Sequence, residues 1–110
     1  MDNLSLTALA RAQLEAAHST SNGRASKTVY GGHEHALRQT VIALTGGQEL
    51  HEHENPGEAT VYVLRGRVEL RADDVAWNGS PGDLLIVPDA RHSLAAIEDS
   101  VVLLTVAKQL

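Results

Sequence analysis

The sequence predicts an all-β domain, an antiparallel sandwich or closed barrel, preceded by one short helix. Three observations carry this. From Thr28 onward, short runs rich in Val, Leu, Ile and Thr recur at fairly even intervals, separated by Gly, Pro, Asn and Asp. No helical pattern lies between these runs, and parallel strands would need such crossovers. The run from Val101 to Ala107 is apolar at nearly every position, the pattern of a strand covered on both faces.

The helix is expected over residues 4–17. Leu6, Leu9, Ala10, Leu14 and Ala17 form one apolar stripe, and Asn3, Ser5 or Thr7 supplies a cap. Residues 18–27 are polar and break the pattern, so they read as a linker. This divides the chain into an accessory segment, 1–27, and a barrel domain, 28–110. Strands are expected at 28–30, 37–45, 48–53, 59–65, 67–72, 75–78, 83–87, 92–97 and 101–107. Turn residues such as Gly46-Gly47, Asn55-Pro56-Gly57, Asp73-Asp74 and Pro81-Gly82 mark the breaks.

Composition narrows the function. The 110 residues suit one domain, and 43% hydrophobic against 21% charged is a globular balance. The chain has no Cys, which excludes a disulfide framework, a thiolate metal site and a Cys nucleophile. A net charge of −5 argues against nucleic acid or an anionic membrane as partner. No apolar run approaches a membrane span, and Met1-Asp2-Asn3 does not begin a signal peptide, so a cytoplasmic protein is expected. With no Phe, two Tyr and one Trp, the core must be aliphatic. So small a core is expected to extend itself by pairing with a second copy, as a homodimer.

The chemistry rests on the six histidines. His51 and His53 form a His-x-His pair in an expected strand, so alternation sends both to one face. Two imidazoles at that spacing can share a metal ion with bonds of about 2.0–2.1 Å. His92, at the start of another strand, offers a third nitrogen if the barrel closes, and Glu58 offers a carboxylate. The alternative is plain: polar residues on a wet face, with His92 bonded to a backbone carbonyl. A second pair, His33 and His35, follows Gly31-Gly32 with no third ligand nearby and reads as structural or surface-exposed. His18 falls in the polar linker and reads as uninformative.

The stretches GGQELHEHENPGEATVYVLRG, residues 46–66, and GDLLIVPDARH, residues 82–92, resemble the two motifs of the cupin superfamily. The resemblance covers about residues 37–107 and implies a double-stranded β-helix, or jelly-roll, barrel. It implies a metal site of His51, His53, His92 and Glu58, and pairing through the sheets. Two spacings depart from the family pattern. Seven residues separate Glu58 from Gly66, where the family has six, so counting back from Gly66 lands on Ala59. Alternation puts Glu58 and Ala59 on opposite faces, and a bulge near Gly57 is needed to turn Glu58 inward. In the second motif three residues separate Pro88 from His92, where the family has four, and Ala90 replaces a Gly.

Three neutral imidazoles with open positions suit Zn, Fe, Mn, Ni or Cu. The open positions would take water or a small oxygen-rich molecule, for Lewis-acid polarisation or dioxygen activation. Ala59, Val61, Val63, Leu85, Val87 and Leu94 are expected to line a small pocket whose lack of aromatic residues disfavours a flat ring. No general acid or base is assignable. The alternative is a non-catalytic barrel that binds or senses a small molecule without metal. Cupins host many activities on one barrel, so the fold selects none of them.

Overall fold

A computed structural model describes residues 3–53 and 57–108, without the side chains of Glu52 and His53. Helix α1, Leu6–His18, leads into strands β1, Arg24–Gly31; β2, Leu37–Leu44; β3, Glu49–His53; β4, Gly57–Arg65; β5, Val68–Ala72; β6, Val75–Gly79; β7, Leu84–Ile86; β8, His92–Ala96; and β9, Ser100–Lys108. The strands form two sheets, ordered β1-β2-β9-β4-β7 and β3-β8-β5-β6, and every described pair is antiparallel. This is the expected β-barrel with one short N-terminal helix. No helix among the described residues is long and apolar enough to cross a membrane.

The inner faces of the two sheets meet in an aliphatic core. Ala59, Val61 and Val63 of β4, Leu85 and Val87 from β7 and its end, and Val102 and Val106 of β9 face Val68, Leu70 and Leu94. Strand β4 shows the alternation clearly: Ala59, Val61 and Val63 are buried, whereas Glu58 and Tyr62 are exposed.

The other face of the larger sheet is covered by α1. Ala10 and Ala17 pack on Val41, Ala43 and Val101, and Leu6, Leu9, Leu14 and Leu103 surround them. Two alanines on the inward stripe let the helix approach the sheet closely. Ser5 is the cap, its Oγ accepting the Ala8 N–H at 3.2 Å. The apolar run in β9 is therefore covered twice, by the second sheet and by the helix.

Two features differ from the sequence expectation. Strand β1 begins at Arg24, inside the polar stretch 18–27, and pairs with β2 from Arg24 opposite Leu44 to Gly31 opposite Arg38. Its polar side chains read as a linker because β1 is an edge strand, where polar residues stay in water. Helix α1 also shares a core with the larger sheet, through Ala10 and Ala17 against Val41, Ala43 and Val101. His18 is the last residue of α1, and its Nε2–H donates to Asp99 Oδ2 at 2.7 Å. Asp99 Oδ1 accepts the Gly46 N–H at 2.8 Å, so one carboxylate ties the helix end to two turns.

Gly66 makes the β4–β5 turn with φ of +81°, and a Cβ there would meet the Asp99 carbonyl and Ser100 Oγ. The adjoining Ser100 hydroxyl is buried and satisfied: it accepts the Arg67 N–H and lies within bonding distance of the Arg67 and Glu98 carbonyls.

Leu70, 1% exposed, has no room to be replaced by water, and Leu70→Ala should cost about 2–5 kcal/mol in urea unfolding. The Gly46 N–H, with His18 behind it, holds the Asp99 carboxyl below its ordinary value of 3.8. A depressed folded-state pKa stabilises above the unfolded value and loses that effect as pH falls through the folded one. The stability difference between wild type and Asp99→Asn should therefore be full at neutral pH, begin to shrink near pH 4 and vanish in stronger acid.

Candidate functional site

The site is built on two adjoining strands of the smaller sheet, β3 and β8. His92 opens β8 after a tight turn in which the Ala90 N–H donates to the Pro88 carbonyl at 2.8 Å. The residue is 6% exposed, on the same face of β8 as Leu94 and Ala96. Nδ1 lies 2.9 Å from the Ala90 carbonyl oxygen. A carbonyl only accepts, so Nδ1 carries the hydrogen, and the neutral ring then presents its lone pair at Nε2. That is the tautomer a metal-binding imidazole needs, fixed by a backbone partner.

The ladder between β3 and β8 contains a one-residue shift. Leu50 pairs with Leu94, and regular continuation would put Glu52 opposite His92; instead His53 stands there. A β-bulge between Leu50 and His53 accounts for the shift. The His53 side chain lies outside the described residues. His51 falls within the bulge and is exposed. Among the described residues, no group of three or more His, Asp or Glu side chains stands close enough to hold a metal ion.

Glu58 is placed on the outer face. It pairs with Ala107, whereas Ala59, buried, pairs with Val106 on the inner side. The ladder runs regularly through Gly57, Glu58 and Ala59, and the bulge in β4 comes later, between Val63 and Arg65. The spacing that pointed to Ala59 from Gly66 thus describes the inward position. The described inner face of β4 carries Ala59, Val61 and Val63 and no carboxylate.

All six expected pocket residues, Ala59, Val61, Val63, Leu85, Val87 and Leu94, belong to the inner cluster. The missed residue is Trp77. It pairs with the buried Leu70, so it shares the inner face, yet it is 41% exposed. The signal was present in Val75-Ala-Trp-Asn-Gly79, where Val75, Trp77 and Gly79 alternate with Ala76 and Asn78. Trp77 stands on the edge strand β6 and is not part of the buried inner cluster. The second pair, His33 and His35, lies exposed between β1 and β2, with the His35 ring edge-on to Tyr30 at 5.3 Å between centroids.

Comparison with known proteins decides the family. The cupin domain model matches residues 39–107. The chain belongs to the cupin family. A conserved protein of unknown function from Streptococcus pyogenes is similar at 30% identity, over 83% of this cupin and 79% of the other chain, with a TM-score of 0.74. A cupin superfamily protein from Desulfitobacterium hafniense shares the fold at 20% identity, covering 78% of each chain, with a TM-score of 0.72. KdgF from Halomonas sp. shares it at 22% identity over 79% of this cupin and 82% of that protein, with a TM-score of 0.68. A search of curated proteins found no match. Cupins often bind metal ions and some are enzymes, and the chemistry of this one turns on its own residues.

Because Glu58 points outward, Glu58→Gln should change neither folding nor divalent-ion binding. Thermal melting with and without Zn²⁺ should give wild-type curves for the variant, within about 0.5 kcal/mol.

Proposed function

We propose that this cupin binds a divalent metal ion at the His92 end of its inner face, and there takes up a small oxygen-rich molecule. The observation that carries the reading is the buried His92 ring, whose Nδ1 bond to the Ala90 carbonyl directs Nε2 as a lone-pair donor. The register opposite His53 supports it, because facing positions of an antiparallel pair stand about 4.5–5.5 Å apart at Cβ. His92, His53 and His51 are the proposed ligands, a set of neutral nitrogens that suits Zn, Fe, Mn, Ni or Cu. The ion would supply Lewis-acid polarisation of a bound oxygen, or dioxygen activation if it is iron or copper. His92 is held in place for that task by the Ala90 carbonyl and is buried.

The outward Glu58 favours the second reading, a barrel that binds or senses a small molecule without turning it over. Catalysis that moves a proton needs a positioned acid or base, and the described inner face of β4 offers no carboxylate for it. The two readings share the ligand site and differ in whether the bound molecule reacts. We place either activity in the cytoplasm, where an acidic chain without cysteine needs no oxidising compartment to fold.

We further propose a homodimer formed through the outer face of β4 and β7. Tyr62 pairs with Leu84 and Thr60 with Ile86, and the three apolar side chains face outward, Ile86 being 68% exposed. Leu64 and Leu103, packed under the helix, continue the same apolar surface. A second copy would cover the apolar side chains that α1 leaves exposed.

Zn²⁺ at a hundred times its dissociation constant should stabilise the wild type by about 2.7 kcal/mol, read as a rise in melting temperature. His92→Ala should melt at one temperature with or without the ion; an unchanged wild-type melting point would remove the metal from the reading. Sedimentation should show a dimer for the wild type and a folded monomer for Ile86→Glu. A wild-type monomer at all concentrations would reject the interface.

A further inference from the structure

We propose that the pocket between the start of α1 and the outer face of the larger sheet is a second ligand site, which takes a small uncharged molecule with an apolar body and an amide head. It lies on the opposite side of the larger sheet from the barrel interior and needs no metal.

Helix α1 covers only part of the sheet beneath it. Ala10 and Ala17 pack on Val41, Ala43 and Val101, and Leu6 is the first helical residue. The sheet continues past that point: Val41 pairs with Leu103, and two residues on, Gln39 pairs with Thr105 on the same face. A cavity of about 660 Å³ remains there, lined by Asn3, Leu4 and Leu6 from the helix start and by Gln39 and Leu103 from the sheet. Small-molecule sites span about 300–1,000 Å³.

The rest of the lining comes from an irregularity in β1. That strand pairs regularly with β2 from Arg24 opposite Leu44 to Thr28 opposite Thr40, and then Tyr30, rather than Val29, stands opposite Gln39. Val29 is therefore the extra residue of a β-bulge. Ala25 and Val29 pack against the cluster under the helix, so regular alternation would send Tyr30 to the other face. The bulge brings it beside Val29, and both line the cavity.

The polar groups of the lining are positioned by the protein itself. Tyr30 is half exposed, yet its ring meets the His35 ring edge-on at 5.3 Å between centroids. Gln39 Nε2 donates to Thr105 Oγ1 at 3.2 Å, which orients the amide and leaves Oε1 to accept from a guest. None of the lining residues is Asp, Glu, Lys, Arg or His. An ionised head would lose water there and gain no counter-charge. An amide head can donate to Gln39 Oε1 and accept from the Tyr30 hydroxyl or the Asn3 amide. Its apolar body would rest among Leu4, Leu6, Val29 and Leu103, two of which, with Tyr30, otherwise leave a concave apolar surface at the mouth of the pocket.

The test uses the full chain without added metal, titrated with benzamide and with sodium benzoate by calorimetry and by nitrogen–proton correlation spectra. Benzamide should bind with a Kd of about 1 mM, a usual affinity for so small a molecule, and benzoate about tenfold more weakly. The spectral shifts should centre on Leu4, Leu6, Val29 and Gln39. Tyr30→Ala, at a half-exposed position, and Gln39→Leu, which keeps the volume, should each weaken benzamide about tenfold with the melting temperature held. His92→Ala should bind benzamide like the wild type, whatever the barrel interior does. No saturation within the solubility of benzamide, equal affinity for benzoate, or shifts centred on His92 and Leu94 would overturn the proposal. So would sedimentation showing that Tyr30→Asp turns a wild-type dimer into a monomer while benzamide does not bind, which assigns this face to a second copy.

Discussion

The double burial of β9 is the constraint on which the rest of the molecule depends. Val101 and Leu103 face α1, whereas Val102, Leu104 and Val106 face the second sheet. A strand that is apolar on both sides cannot be left at a surface, so it must sit in the middle of a sheet with a layer on each side. It pairs with β2 and with β4, which come from well-separated parts of the chain. The helix is the third layer that this strand demands. Without it Val41, Ala43 and Val101 would meet water, and the polar segment before β1 would have no fixed position.

An aliphatic core of this kind is held by fit, since it lacks the large area that phenylalanines contribute. Valines and alanines leave little slack, and β-branched side chains have few rotamers with which to absorb a change. The polar groups that enter this fold do so with partners. Ser100 is surrounded by backbone groups at the Gly66 turn, Asp99 serves a helix end and a turn, and His92 bonds the Ala90 carbonyl. No buried side-chain nitrogen or oxygen among the described residues lacks a partner.

The barrel is unequal at its two ends. Near Gly79 the β6–β7 turn closes tightly and small residues let the sheets approach. Toward Val75 the edge strand β6 becomes exposed, whereas His92, delivered by the tight turn after Pro88, is buried. Glu58 lies on the outer face of β4, away from that histidine.

Much of this was legible in the residues alone. Period-two patterning located each strand, to within a few residues except at the polar edge strand β1, and the apolar run at 101–107 announced a doubly covered strand. Counting back from Gly66 identified Ala59 as the inward position, because alternation is a property of the backbone and needs no tertiary information. The bulge that brings position 53, rather than 52, opposite His92 was decided by how β3 pairs with β8. Trp77 likewise shares a face with Leu70 because the β5–β6 register pairs them, and it is half exposed on the edge strand. Local sequence dictates which side chains share a face; which face looks inward, and what stands across from it, depends on contacts between segments far apart in the chain.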